Sequence, residues 1–272
     1  MRRTLRFLAI AVPAALATVP VALAGPDLAT GDAPDRASAL VGESAPHALP
    51  TDTFRVAGAA IRAGASEARA QAPAPIVAVD GGETVLLRSR PGGPGAVEVS
   101  STTEFGSPQR LGVVRERGAW LGVSTPELPN GKLGWVHRRD GAITVRRTAW
   151  SIVADVSSRR IVLRRAGRVV RRLGVAVGRP DSPTPTGRFS VTDKIAGDRF
   201  GPYYGCCILA ISATQPNTPP GWTGGNRMAI HGTSDPTSIG AAASAGCLRA
   251  ADSDLRLLMR RVPLGTPVII RP

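Results

Sequence analysis

Aromatic side chains are scarce in this 272-residue chain: five phenylalanines, four tryptophans and two tyrosines make up 4 % of it. With no nucleic-acid recognition motif among them, that scarcity argues against nucleic-acid binding, although the formal net charge is +14. Lysine is nearly absent. Only Lys132 and Lys194 interrupt an otherwise all-arginine set of basic residues, a bias that reads as codon usage more than as function. The basic charge fits an anionic polymer, and an acidic cell wall is its natural partner. Cysteine and histidine occur three times each. There is no Cys-x-x-Cys, which excludes a thioredoxin-type redox motif and a zinc knuckle, so no metal is expected. Beyond residue 24 no run is long and apolar enough to cross a membrane as a helix.

What is present divides the chain into four stretches. Residues 1–24 have the form of a signal peptide: Arg2, Arg3 and Arg6, an apolar run over 7–21, and Ala22-Leu23-Ala24 as a cleavage site. No cysteine follows the cleavage site, so lipid anchoring is not expected. The expected location is the cell envelope, as periplasm or cell wall, or the outside of the cell. Residues 25–75, rich in Ala, Pro and Gly without sustained periodicity, read as a disordered tether. Residues 76–147 carry seven short β-rich runs, from Ile76–Val79 to Ala142–Val145, separated by turn signals such as Pro129-Asn130-Gly131. That spacing predicts a small β-barrel module. Residues 150–272 begin with longer alternating runs and end with a helix whose Leu255, Leu258, Met259 and Val262 share one face, followed by a closing strand. Asp252 or Ser253 is the expected N-cap. The expected fold class is mainly β: a small barrel followed by a β-sandwich with a short C-terminal helix.

The chemistry concentrates near the C-terminus, in Met228-Ala-Ile-His231-Gly232-Thr233, Ser238-Ile-Gly240 and Ser244-Ala245-Gly246-Cys247-Leu-Arg249. A thiol becomes a competent nucleophile as a thiolate, and a nearby imidazole is the usual means to that end. Cys247 follows His231 by sixteen positions, enough for the chain to fold back and bring them together. Cys206 and Cys207 are neighbours, which strains a bridge between them, and Cys247 is left as the odd thiol. An activated Cys247 is expected to titrate below the free-thiol value of about 8.5. Gly232 and Gly246 suit a backbone that approaches substrate closely or takes positive φ.

These segments resemble the L,D-transpeptidase family, also called the YkuD domain, over roughly residues 150–272. One position departs: Ala245 stands where the family usually has a second histidine. The resemblance implies Cys247 as nucleophile, His231 as general base and the Gly232 carbonyl as the group that orients the imidazole. It further implies an oxyanion hole from the Gly246 and Cys247 N–H groups, and substrate contacts from Arg249, Ser244, Tyr204 and Trp222. No cofactor is required. The implied partners are peptidoglycan stem peptides, with carbapenem β-lactams as inhibitors, and the protein is expected to be a monomer. The implied reaction is 3→3 cross-linking through a thioester. L,D-carboxypeptidase activity and a non-catalytic wall-binding role are the alternatives. The motif Trp120-Leu-Gly-Val123 with Gly131-Lys-Leu-Gly-Trp135-Val136 resembles bacterial SH3-like modules, whose tryptophans serve either wall recognition or the module's own core.

Overall fold

The computed structural model describes residues 72–223 and 225–272. The signal peptide and nearly all of the expected tether lie outside the described residues. What is described is mainly β, with one α-helix.

Seven strands form the first sheet: β1 (Ala74–Val79), β2 (Thr84–Arg88), β3 (Gly95–Ser100), β4 (Arg110–Arg117), β5 (Trp120–Val123), β6 (Gly134–His137) and β7 (Ile143–Thr148). Their order is β3-β2-β6-β5-β4-β1-β7. Each of the seven β-rich runs seen in the sequence carries one of these strands. The period-2 pattern explains why: in β2, Val85 and Leu87 point inward while Thr84 and Leu86 face water. A small core of Val77, Leu87, Leu111, Leu121 and Val136 results. Trp135 is buried and packs over Gly122, where a Cβ would come within 3.0 Å of the indole. It is therefore a packing residue of this unit.

The second unit begins with β8 (Trp150–Asp155), β9 (Arg160–Arg165), β10 (Arg168–Gly174) and β11 (Val177–Gly178). Then come β12 (Gly187–Ala196), β13 (Cys207–Thr214), β14 (Arg227–His231), β15 (Ala242–Ser244), β16 (Leu248–Arg249), α1 (Asp252–Arg261) and β17 (Pro267–Arg271). Eight of these strands form one sheet in the order β10-β9-β8-β17-β12-β13-β14-β16, and β11 pairs with β15. The turn between β9 and β10 is built by Ala166 and Gly167, both at positive φ, the geometry that matches strand twist in a two-residue hairpin. β10 is an edge whose arginines face water, a charge pattern that discourages further strand pairing. β12 changes partners along its length: Gly187–Ser190 pair with β17, and Val191–Ala196 with β13. The sheet thus doubles over, and Ile152 and Leu163 from one half share a core with Ile230 and Leu248 from the other.

Helix α1 covers one end of that core with Leu255 and Leu258. Its N-cap is Ala251, without a side-chain cap. This corrects the expectation that Asp252 or Ser253 caps the helix, and the cause is that the Asp252 carboxylate is engaged elsewhere, as described below.

All described residues fall in one compact unit, and the seam between the two sheets is polar and close. The Gly112 N–H donates to Ser190 Oγ at 3.2 Å, the Ser124 and Ser212 hydroxyls are 2.5 Å apart, and Asn130 Nδ2 donates to Thr214 O at 2.6 Å. A Cβ on Gly112 would sit 2.5 Å from that of Ser190. These contacts hold the first sheet against β12 and β13, the strands beside the site.

Candidate active site

The parallel pairing of β14 with β16 sets Ile230 opposite Leu248 and His231 opposite Arg249. That register brings the start of β16, and Cys247 just before it, beside the end of β14. Both His231 and Cys247 line one cavity of about 230 Å³, with Tyr203, Tyr204 and Trp222 on its walls and Ile208, Ala210 and Ala229 beneath. Pockets that enclose a whole drug-sized ligand are commonly about 300–1,000 Å³, so this one suits part of a substrate.

His231 is wholly buried. Its Nδ1 lies 2.6 Å from the Gly232 carbonyl oxygen. A carbonyl only accepts, so Nδ1 carries the proton and Nε2 keeps its lone pair. Nε2 is buried and has no hydrogen-bond partner among the described residues. Burial and the nearby Arg249 charge pull the imidazole down to about 4, against the Gly232 bond, which acts upward. The ring is therefore neutral at physiological pH, with a free acceptor nitrogen.

Cys247 is the free cysteine, partly exposed, while Cys206 and Cys207, whose state the sequence left open, are joined to each other. Burial of the thiol pushes its pKa up, opposed by a hydrogen bond from the Ala229 backbone and by the Arg249 charge. This corrects the expectation of a thiol acidified at rest: Cys247 packs against the apolar cluster of Ile195, Ile208, Ala210 and Ala229, where a thiolate is poorly solvated. The resting pair is a neutral thiol and a neutral imidazole.

The turn that carries Cys247 is held from outside. Gly246 has φ +115°, and a Cβ there would sit 2.1 Å from Gln215 Nε2, so only glycine fits. Gln215 Nε2 donates to Pro183 O at 3.0 Å and Ala245 O at 3.1 Å. Thr184 Oγ1 accepts from the Gly178 N–H and donates to Gly246 O, both at 2.8 Å. The Pro183–Gly187 segment thus works as a brace for the nucleophile turn. Asp252 does the same for the histidine, accepting from the Cys206 N–H at 2.9 Å and the Thr233 N–H at 3.2 Å. A Cβ on Gly232 would fall 2.2 Å from the Asp252 carboxylate, which explains the glycine after His231.

Three expected roles do not fit this geometry. The Gly246 N–H donates to Ser244 Oγ at 3.0 Å, so it is already used, and the Cys247 N–H is the remaining donor of the expected oxyanion pair. Ser244 is fully buried, and its Oγ also donates to Cys247 O at 2.6 Å; it shapes the turn and does not reach substrate. Arg249 is 9 % exposed and does not line the cavity. Its Nη2 donates to Tyr203 Oη and its guanidinium lies 4.6 Å from the Tyr203 ring centroid, so Tyr203 reaches the cavity where Arg249 was expected to. Arg249 acts on the site through its charge. Tyr204 stands edge-on to His231 at 4.9 Å between ring centres. Trp222 is 40 % exposed at the mouth, its indole N–H donating to Gly225 O. Gln215, Thr184 and the clamp role of Asp252 carried no local sequence signal, because the parts of the site they hold, Ala245, Gly246 and Thr233, lie 30, 62 and 19 positions away. Among the described residues no group of three or more His, Cys, Asp or Glu is arranged to hold a metal.

The family model for the L,D-transpeptidase catalytic domain, YkuD, matches residues 149–270. The matched segment is a little under half of the chain and includes His231 and Cys247. The chain is 32 % identical over 123 residues to the YkuD protein of Bacillus subtilis, covering 44 % of this chain and 65 % of that one. It is 32 % identical over 125 residues to its Bacillus licheniformis counterpart, covering 45 % and 66 %. The chain thus spans a little under two thirds of the length of these relatives. A solved L,D-transpeptidase from Mycobacterium smegmatis overlaps 58 % of this chain and 80 % of its own at 20 % identity and a TM-score of 0.38.

Proposed function

We propose that this protein is a peptidoglycan L,D-transpeptidase that forms 3→3 cross-links through a thioester on Cys247. One observation carries the reading: a buried His231 whose Nδ1–H is committed to the Gly232 carbonyl and whose Nε2 has no partner, in the same cavity as the free cysteine. An orphan acceptor in a buried site costs free energy unless something fills it, and a thiol or an amine does. The donor is a tetrapeptide stem. His231 Nε2 takes the thiol proton as sulfur bonds to the carbonyl carbon of the stem's third residue. The Cys247 N–H faces the developing oxyanion. The C–N bond to D-alanine breaks, and the imidazolium returns its proton to the departing amine. A side-chain amine of a second stem then attacks the thioester, giving its proton to His231, and the sulfur leaves to recover it as thiol.

Because thiol and imidazole are both neutral at rest, charge separation accompanies attack and does not precede it. The buried Arg249 cation favours the developing thiolate. Export through residues 1–24 places this chemistry in the envelope, where the donor is. The first sheet is read as an SH3-like module, residues 76–147, and residues 150–272 as the catalytic unit. By the same chemistry carbapenems, as acylating agents, should modify Cys247.

The test is intact mass spectrometry of the wild type and of Cys247→Ala with a disaccharide-tetrapeptide. Cross-linked dimer with free D-alanine, lost in the variant, is the expected result. Tripeptide without dimer makes the protein an L,D-carboxypeptidase. A wild type that never forms an adduct rules out the mechanism and leaves wall binding.

A further inference from the structure

The cavity beside Cys247 is not built by the second unit alone. The connection between β3 and β4, residues 101–109, reaches across the seam and supplies Glu104 and Phe105 to its wall. The connection is stiff. Thr103 N–H donates to Ser107 O at 2.9 Å, Gly106 N–H to Thr103 O at 3.0 Å, and Gln109 N–H to Ser101 O at 2.7 Å. None of its residues belongs to the core of the first sheet. Its tip is tied to the other side instead. Thr103 Oγ1 donates to the buried Asp193, Glu104 pairs with Arg227, and the Phe105 ring meets Phe200 edge-on at 6.1 Å, with Arg227 5.6 Å from its centroid.

Phe105 and Cys247 pack against one apolar cluster, formed by Ile195, Ile208, Ala210 and Ala229. An apolar strip therefore runs from the thiol to the Phe105 ring. Glu104 and Arg227 stand at its edge and neutralise each other, and Arg199, which donates to the Phe105 carbonyl at 3.4 Å, does not line the cavity, so no unpaired charged side chain lines this end. A surface of that kind takes an uncharged aliphatic group and rejects a charged one, because a charge there would be desolvated without a partner.

We propose that the tip of the β3–β4 connection is a substrate-binding element: Phe105 seats an uncharged aliphatic part of the acyl donor next to Cys247. This rests on the reading of Cys247 as the acylated nucleophile. It makes the first sheet part of the enzyme's specificity and not only a tether or a wall anchor.

The experiment uses the full chain as wild type, Phe105→Ala and Phe105→Trp. Acylation of Cys247 by the disaccharide-tetrapeptide is followed by intact mass over a range of donor concentrations. Iodoacetamide alkylation serves as a probe too small to need the wall, and melting curves report the fold. The expected result is a half-saturating donor concentration raised about tenfold in Phe105→Ala, from loss of the aromatic contact, with the maximal rate and the alkylation rate held. Phe105→Trp, which fills the strip, should block the donor while iodoacetamide still reacts. Wild-type donor dependence in both variants overturns the inference, and so does an alkylation rate that falls in step with acylation, since the tip would then only support the thiol. If the wild type is alkylated but never acylated by the donor, the proposed function fails and this inference with it.

Discussion

A histidine whose ring is held neutral and a cysteine whose thiol is held protonated make an unusual-looking nucleophile pair, and the surroundings of each residue explain it. Complete burial lowers the His231 pKa to about 4, while the apolar strip under Cys247 raises that of the thiol. The sign of the pH dependence follows. His231 can accept a proton only when unprotonated, so acylation should persist as pH falls through the ordinary histidine range and be lost only near 4. Iodoacetamide, which needs a preformed thiolate, should react slowly at neutral pH and speed up beyond the free-thiol value of about 8.5. Stopped-time mass spectrometry against pH checks both. Rapid alkylation in the mildly acidic range would instead reveal a thiolate–imidazolium pair at rest.

At the scale of elements, the nucleophile turn is no more self-supporting than the two short strands around it. β15 and β16 are three and two residues long, too short to fix the position of Cys247 by their own ladders. The brace from Pro183–Gly187 does so, and Thr184 is its centre. Thr184→Val keeps the shape but strands the Gly178 N–H and the Gly246 carbonyl, each a loss of about 1–3 kcal/mol if left unmade. For a protein of this size the melting temperature falls roughly 2–4 °C per kcal/mol. Calorimetry should show that drop, and acylation should slow by more than the loss of folded protein explains, because the misplaced turn moves the sulfur. Full activity with a lowered melting point would leave Thr184 a stabilising residue alone.

For the whole molecule, the same buried histidine that suits catalysis makes the fold acid-sensitive. Between its ordinary value of 6.5 and about 4, the unfolded chain binds a proton at His231 that the native one refuses. Stability is complete above 6.5 and declines as pH falls through that window, by about 3 kcal/mol at most. Asp155 adds a second, lower window. Hydrogen bonds from Ser158 and Ser157 pull it from 3.8 to about 2, so its contribution is present above 3.8 and lost as pH falls toward 2. Melting temperatures from pH 7 downward should fall first in the histidine window. A His231→Gln variant should show a flatter profile there and an unchanged one below it.

Much of this was legible before the fold. The strands of both units follow from period-2 alternation, as in Val85 and Leu87, and the Ala166-Gly167 hairpin from its turn residues, because local sterics set both. His231, Gly232 and Cys247 stood out because a thiol and an imidazole are rare here and chemically suited to one another. The state of the thiol was not legible. A sequence names the base near a cysteine but not the dielectric around it, and the apolar strip that raises the Cys247 pKa comes from β12, β13 and β14 together. The roles of Ser244, Arg249 and the Gly246 N–H changed for a like reason: each polar group bonds to whichever partner is nearest in space. By itself the sequence determined which strands form and which two side chains carry the chemistry, since both depend on residue type and short spacing. Only the tertiary structure decided what surrounds them, because Gln215, Asp252 and Phe105 reach the site from distant parts of the chain, through packing that no local pattern encodes.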